Sequence, residues 1–204
     1  MQNIRVHFPR GVSGSFLVNC FLYYTNPEYF LKLSLGPKGD AHPQQDDLTD
    51  LGKSSTSDLK KHVFFSDNTS HNTTKLDDEF TAVFIKCNPN EYNVVADMFL
   101  HKVLIWELTA ERYNTMKGPD WTSYDKWPTC EFTKQEIKDM WLSDLQEWNN
   151  QVDFSKADYV INFKDIHFDP LLNQQIASIV NIQTNETVQK YIDDYRNINK
   201  VYWK

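Results

Sequence analysis

The stretch HFPRGVSGSFL, residues 7–17, joins a strand-like pattern to a helical one near the start of the chain. Residues 3–8, NIRVHF, alternate polar and apolar side chains as a β-strand does, and Phe16 to Tyr24 predict a helix. The turn between them is rich in glycine and serine and holds an arginine. Backbone N–H groups in such a turn, with the partial positive charge of a helix N-terminus, suit a bound phosphate or sulfate. The alternative is that Gly11 and Gly14 only allow a tight turn.

Length and composition limit the kind of protein that this turn belongs to. The chain has 204 residues, of which 40% are hydrophobic and 14% aromatic, and its formal net charge is −7. These values predict a single domain over residues 1–204 with a sizeable core. The negative charge argues against a general nucleic-acid or anionic-membrane binder, so any anion site has to be local.

The cysteines and the hydropathy pattern indicate the compartment. Cys20, Cys87 and Cys130 are not closely spaced, which argues against a disulfide framework and against a zinc site. We therefore expect reduced thiols and no metal. No apolar run approaches the length of a membrane span, and the first residues lack the pattern of a secretory signal, so we expect a cytoplasmic protein.

The rest of the chain alternates strand and helix patterns. Strands are predicted at 62–65, 80–87 and 158–163, and helices at 90–113, 133–148, 170–180 and from 184 onward. Asp169-Pro170 is predicted to open the third of these helices, and the last one carries Val188, Tyr191, Ile192 and Tyr195 on one face. Residues 36–58 are polar and contain Gly and Pro, which predicts a flexible insertion. The alternation predicts an α/β fold of three layers, with a mainly parallel sheet flanked by helices.

Three segments, in this order, resemble the sulfotransferase family. FPRGVSGSFL, residues 8–17, is similar to the family's loop for the 5′-phosphosulfate, and residues 80–102 are similar to its strand, Arg-Asn-Pro and long helix. Residues 157–180 are similar to a later strand that is followed by Asp-Pro and a helix. The resemblance implies a P-loop-like fold. It also implies a 3′-phosphoadenosine 5′-phosphosulfate donor and transfer of its sulfonate to a hydroxyl or amine.

The resemblance also implies site residues. Arg10 falls where the family has a basic residue that stabilises charge on the bridging oxygen, and His62 is the first candidate for the general base. His7 and His71 are the other candidates, and for each histidine an ordinary surface or strand position is the alternative. The donor contacts implied for this chain are Arg10, Gly11, Val12, Ser13, Gly14, Ser15 and Lys86.

Two positions depart from the family pattern. Cys87 stands where the family has arginine, and Val95 stands where it has a serine for the donor's 3′-phosphate. Neither side chain pairs with a phosphate, and neighbouring Lys86 replaces the arginine only if the strand end twists. A non-catalytic, sulfotransferase-like interaction protein is therefore an alternative, and small size and many Asn residues fit a viral source for it. A P-loop kinase is the third reading, although GVSGSF lacks the Walker A lysine.

Some of the aromatic residues are candidates for lining an acceptor pocket. Trp121, Trp127, Trp141 and Trp148 lie in or after an irregular connection where the family often shapes its acceptor pocket. Aromatic walls suit a small ring-bearing molecule or a carbohydrate. Burial in the core is the alternative for these tryptophans, and we expect it for most of them.

Overall fold

The structure is a computed structural model that describes residues 3–9, 12–25, 63–67, 80–105 and 134–203. In these ranges four strands form one sheet in the order β2-β1-β3-β4, and every neighbouring pair is parallel. The strands are β1 (Asn3–Phe8), β2 (Val63–Asp67), β3 (Phe80–Lys86) and β4 (Tyr159–Asn162).

The described helices follow the predicted alternation. They are α1 (Gly14–Thr25), α2 (Tyr92–Ile105), α3 (Lys134–Gln151), α4 (Phe163–Phe168), α5 (Leu172–Ile179) and α6 (Glu186–Asn199). Short 3-10 turns lie at Pro89–Glu91, Phe154–Lys156 and Lys200–Tyr202.

Helices cover both faces of the sheet. Side chains on β3 alternate between these two faces, so their contacts show what packs on each one. Val83 and Ile85 belong to the main core with residues of α1, α5 and α6. Ala82 and Phe84 point the other way and pack with Trp148 of α3. The five residues 81–85 are all buried, as expected for a strand covered on both sides. The predicted α/β class with a parallel sheet and helices on both faces is confirmed.

The helix starts differ from the prediction by one or two residues, as at α1 (Gly14) and α2 (Tyr92), and for α5 and α6 the cause is visible. α5 begins at Leu172 rather than at Pro170, because the Asp169 carboxylate accepts a hydrogen bond from the Leu171 N–H (2.8 Å) and forms a turn ahead of the helix. α6 begins at Glu186 after Asn185, whose side chain accepts from the Thr187 N–H (2.8 Å). The predicted face of this last helix is buried, as expected.

The helix α4 was not predicted. It follows β4 without a connecting loop, since Asn162 is extended while Phe163 already opens the helix. Two of its three hydrophobic residues, Phe163 and Ile166, lie three positions apart and are buried, whereas Phe168 is exposed, so the short helix has one core-facing side.

Several predictions fall outside the described residues and stay predictions. They concern Arg10, Gly11, His62, His71, Trp121, Trp127, Cys130 and the insertion at 36–58. Within the described ranges, no helix combines the length and apolar character needed to cross a membrane.

Candidate functional site

The carboxyl ends of β1 and β3 lie side by side in the sheet, and the chain leaves them in opposite directions. From β1 it runs through α1 to β2 at one edge. From β3 it runs through α2 and α3 to β4, which lies on the other side. In open α/β sheets this change of direction leaves a crevice beyond the strand ends, where ligands bind. Residues 9, 12 and 13, the described part of the β1–α1 turn, lie at this position.

The described part of the turn is anchored in the protein. The Val12 side chain is fully buried, and the Ser13 hydroxyl lies 2.6 Å from the Tyr195 hydroxyl of α6 in a buried contact. Ser13 has a φ of 64°, in the left-handed region, and its carbonyl accepts the first hydrogen bond of α1 from the Leu17 N–H (3.1 Å). The Ser13 hydroxyl is already hydrogen-bonded and the Val12 side chain is apolar. These two residues would therefore contact a ligand through their backbone N–H groups.

Gly14 sets how closely α1 approaches the end of β1. A Cβ atom at this position would lie 2.0 Å from Cδ2 of the Phe8 ring, far inside contact distance. Glycine is therefore required for packing at the strand end, in addition to any role in binding an anion. Ser15 continues the first turn of α1, which contains no acidic residue, so nothing in that turn opposes an anion.

The end of β3 places its two neighbouring side chains on different faces. Lys86 is exposed, and its Nζ lies 5.6 Å from the centroid of the Phe154 ring on the α3 side of the sheet. Cys87 is fully buried in the main core, where burial and then the Glu91 carboxylate raise the pKa of its thiol. The side chain of Asn149 donates hydrogen bonds to the Cys87 carbonyl and to the Tyr92 hydroxyl.

A buried carboxylate closes this end of β3. Glu91 is only 3% exposed, and its oxygens accept from the backbone N–H (2.8 Å) and the side-chain amide (3.3 Å) of Asn88. The pattern Asn88-x-x-Glu91 is a capping box and could have been recognised in the sequence. Val95, on the first turns of α2, is also fully buried. Cys87 and Val95, the two positions that the resemblance relates to a 3′-phosphate, are therefore buried and uncharged, and the Glu91 carboxylate lies near the Cys87 thiol.

His7, a candidate base, lies inside the sheet. It is 2% exposed, and its ring stacks on Phe84 with centroids 4.5 Å apart. Burial, and then the nearby Arg5 guanidinium, lower the pKa of His7 to about 4. The imidazole is consequently neutral at physiological pH and packs as part of the core beneath α3.

The remaining described candidates belong to the core. Trp141 and Trp148 are 4% and 1% exposed, so the expectation of burial is confirmed for them. No group of three or more His, Cys, Asp or Glu side chains in the described ranges is arranged to hold a metal.

Comparison of the chain with protein-family models, with curated proteins and with solved structures finds no match.

Proposed function

We propose that this chain is a sulfotransferase-like protein that binds a phosphosulfate group at the β1–α1 turn and transfers the sulfonate to a hydroxyl or amine. The observation that carries the proposal is the position of this turn. It lies beyond the carboxyl end of β1, next to β3, where the two crossovers diverge. The described residues of the turn and the end of β3 thus lie at the same edge of the sheet.

The chemistry assigned to the turn is anion stabilisation. In the transfer, the acceptor oxygen or nitrogen forms a bond to sulfur while the bond from sulfur to the donor's phosphate oxygen breaks. Negative charge builds on that phosphate oxygen, and Arg10 with the backbone N–H groups of residues 11–15 would stabilise it. His62 would take the proton that the acceptor loses.

A non-catalytic interaction protein is the second candidate, and the end of β3 favours it. Cys87 and Val95 are fully buried, and the carboxylate of Glu91 lies beside the Cys87 thiol. A donor carrying a 3′-phosphate would meet a buried negative charge there instead of a cation, and like charges repel strongly at low dielectric. The ligand of this candidate is a protein partner, with no nucleotide required.

Isothermal titration calorimetry with three ligands separates the candidates. We expect 3′-phosphoadenosine 5′-phosphate to bind with micromolar affinity and more tightly than adenosine 5′-phosphate or inorganic sulfate. Arg10→Ala should weaken that binding about ten- to a hundredfold, since a charge-assisted hydrogen bond is lost. Lys190→Ala, which removes an exposed cation of α6, is the control and should bind like the wild type.

The outcomes of the titration are distinct. Binding of the 3′-phosphorylated nucleotide that depends on Arg10 supports the sulfotransferase. Equal affinity for the two nucleotides means that the 3′-phosphate makes no net contribution, and a different donor is then required. Absence of nucleotide binding by the wild type leaves the interaction protein.

A further inference from the structure

Two buried tyrosines of α6 join this helix to α1. The Tyr195 hydroxyl lies 2.6 Å from the Ser13 hydroxyl, and the Tyr191 hydroxyl accepts from the Asn19 side-chain amide (3.2 Å). The ring of Phe16 stacks on both tyrosines, with centroids 4.0 Å from Tyr195 and 5.1 Å from Tyr191. The two tyrosines therefore make similar ring contacts but hold different parts of α1.

The contact of Tyr195 falls on the residue where the turn changes direction. Ser13 adopts φ 64°, which is unfavourable for a residue with a Cβ atom, and such conformations persist only when neighbouring groups hold them. The carbonyl of Ser13 also begins the hydrogen bonding of α1. The conformation of this one residue thus sets the direction of the N–H groups around the start of the helix.

We propose that Tyr195 is a positioning residue for the β1–α1 turn, whose hydroxyl holds Ser13 in the left-handed conformation and so aims the N–H groups of residues 12–15. The proposal rests on the proposed function for the identity of the anion that these groups face. Tyr195 is 1% exposed and acts through Ser13. Burial raises the pKa of Tyr195, so its hydroxyl keeps its proton through the physiological range.

The test compares Tyr195→Phe with Tyr191→Phe, its matched control one helical turn away. Amide hydrogen exchange is measured by NMR on the ligand-free protein. We expect the Leu17 N–H, which donates to the Ser13 carbonyl, to exchange about three- to tenfold faster in Tyr195→Phe than in Tyr191→Phe, since one supporting hydrogen bond is lost. Residues 81–85 should exchange alike in the two variants. Equal exchange of the Leu17 N–H in both variants overturns the proposal.

A second pair of variants distinguishes the loss of the Tyr195 contact with Ser13 from a general destabilisation of the protein. Glycine adopts positive φ without help, so Ser13→Gly removes the need for the Tyr195 hydroxyl. In the double variant Ser13→Gly with Tyr195→Phe, the Leu17 N–H should therefore exchange no faster than in Ser13→Gly alone. A further acceleration in the double variant contradicts the assigned role, because Tyr195 would then act by some route other than Ser13.

Titration with 3′-phosphoadenosine 5′-phosphate connects the turn to the site. We expect Tyr195→Phe to bind about three- to tenfold more weakly than the wild type and Tyr191→Phe to bind equally well. A loosened turn with unchanged affinity overturns the positioning of the anion site. If the wild type binds no nucleotide, the proposed function fails, and the exchange measurements alone decide whether Tyr195 positions the turn.

Discussion

The ring of Phe8 packs directly against the backbone of Gly14, so that a Cβ on Gly14 would lie 2.0 Å from Cδ2 of that ring. This contact fixes how near the start of α1 stands to the end of β1. Gly14→Ala should therefore destabilise the fold by about 1–3 kcal/mol, because overpacking outweighs the higher helix propensity of alanine. Urea denaturation measures the change.

A matched control and a second-site change sharpen this prediction. Ser178→Ala, at an exposed position of α5, should change the free energy of unfolding by less than about 0.5 kcal/mol. Phe8→Leu should cost less in the Gly14→Ala background than in the wild type, since the smaller side chain relieves the clash. Equal costs of Phe8→Leu in the two backgrounds would show that the ring and the glycine are not coupled.

Replacements of Ser13 should rank in an order opposite to that of helix-interior positions, with glycine above alanine. Ser13→Ala loses the bond to Tyr195 and keeps a Cβ at positive φ, so we expect a loss of about 1–3 kcal/mol. Ser13→Gly loses the same bond but adopts the conformation freely, and should be more stable than Ser13→Ala by about 1 kcal/mol. Chemical denaturation of both variants gives the order, and an alanine variant as stable as the glycine one contradicts it.

His7 makes stability depend on pH. Its pKa is about 4 in the folded protein against an ordinary 6.5, so the unfolded chain binds a proton first as the pH falls. Its contribution is complete above pH 6.5 and is lost progressively towards pH 4, by up to about 3 kcal/mol. Thermal denaturation between pH 7 and 4 should show a shallower loss for His7→Phe than for the wild type. Parallel curves in this window would exclude His7 as the source.

Arg196 is expected to hold α4 in place. Its guanidinium donates to the backbone carbonyls of Ile166 (2.8 Å), Asp165 (3.2 Å) and Asp169 (2.6 Å). Arg196→Ala should cost about 2–3 kcal/mol, because these part-buried contacts are lost together. Arg196→Lys should recover only part of that loss, since an ammonium lacks the planar fork.

The control for Arg196 is Lys190, which forms an exposed ion pair with Asp194 on the same helix. Lys190→Ala should change stability by no more than about 0.5 kcal/mol, as is usual for surface pairs one helical turn apart. Urea denaturation of the three variants tests the ranking. If Arg196→Lys is as stable as the wild type, the three carbonyls do not require the planar guanidinium group.

Local patterns predicted most of the described elements. The apolar run of β3, the alternation in β1 and the spacing of Val188, Tyr191, Ile192 and Tyr195 each report which side of an element is covered, so they could be identified from the sequence. The helix α4 was missed because six residues hold too few turns to show a period, and its first residue, Phe163, reads as the end of the β4 strand pattern. Residues next to element ends also shifted, since capping depends on which side chain reaches the N–H groups.

The sequence by itself determined the α/β class and the turn that follows β1, because both depend on contacts within a few residues. Only the tertiary structure decided what surrounds that turn. Tyr195 reaches Ser13 across 182 positions, and the Asn149 side chain of α3 reaches the Cys87 carbonyl at the end of β3 across 62 positions. Such partners carry no local signal, since their distance in the chain is unrelated to their distance in space. The strand order, which brings the ends of β1 and β3 together, is set by the same long-range packing.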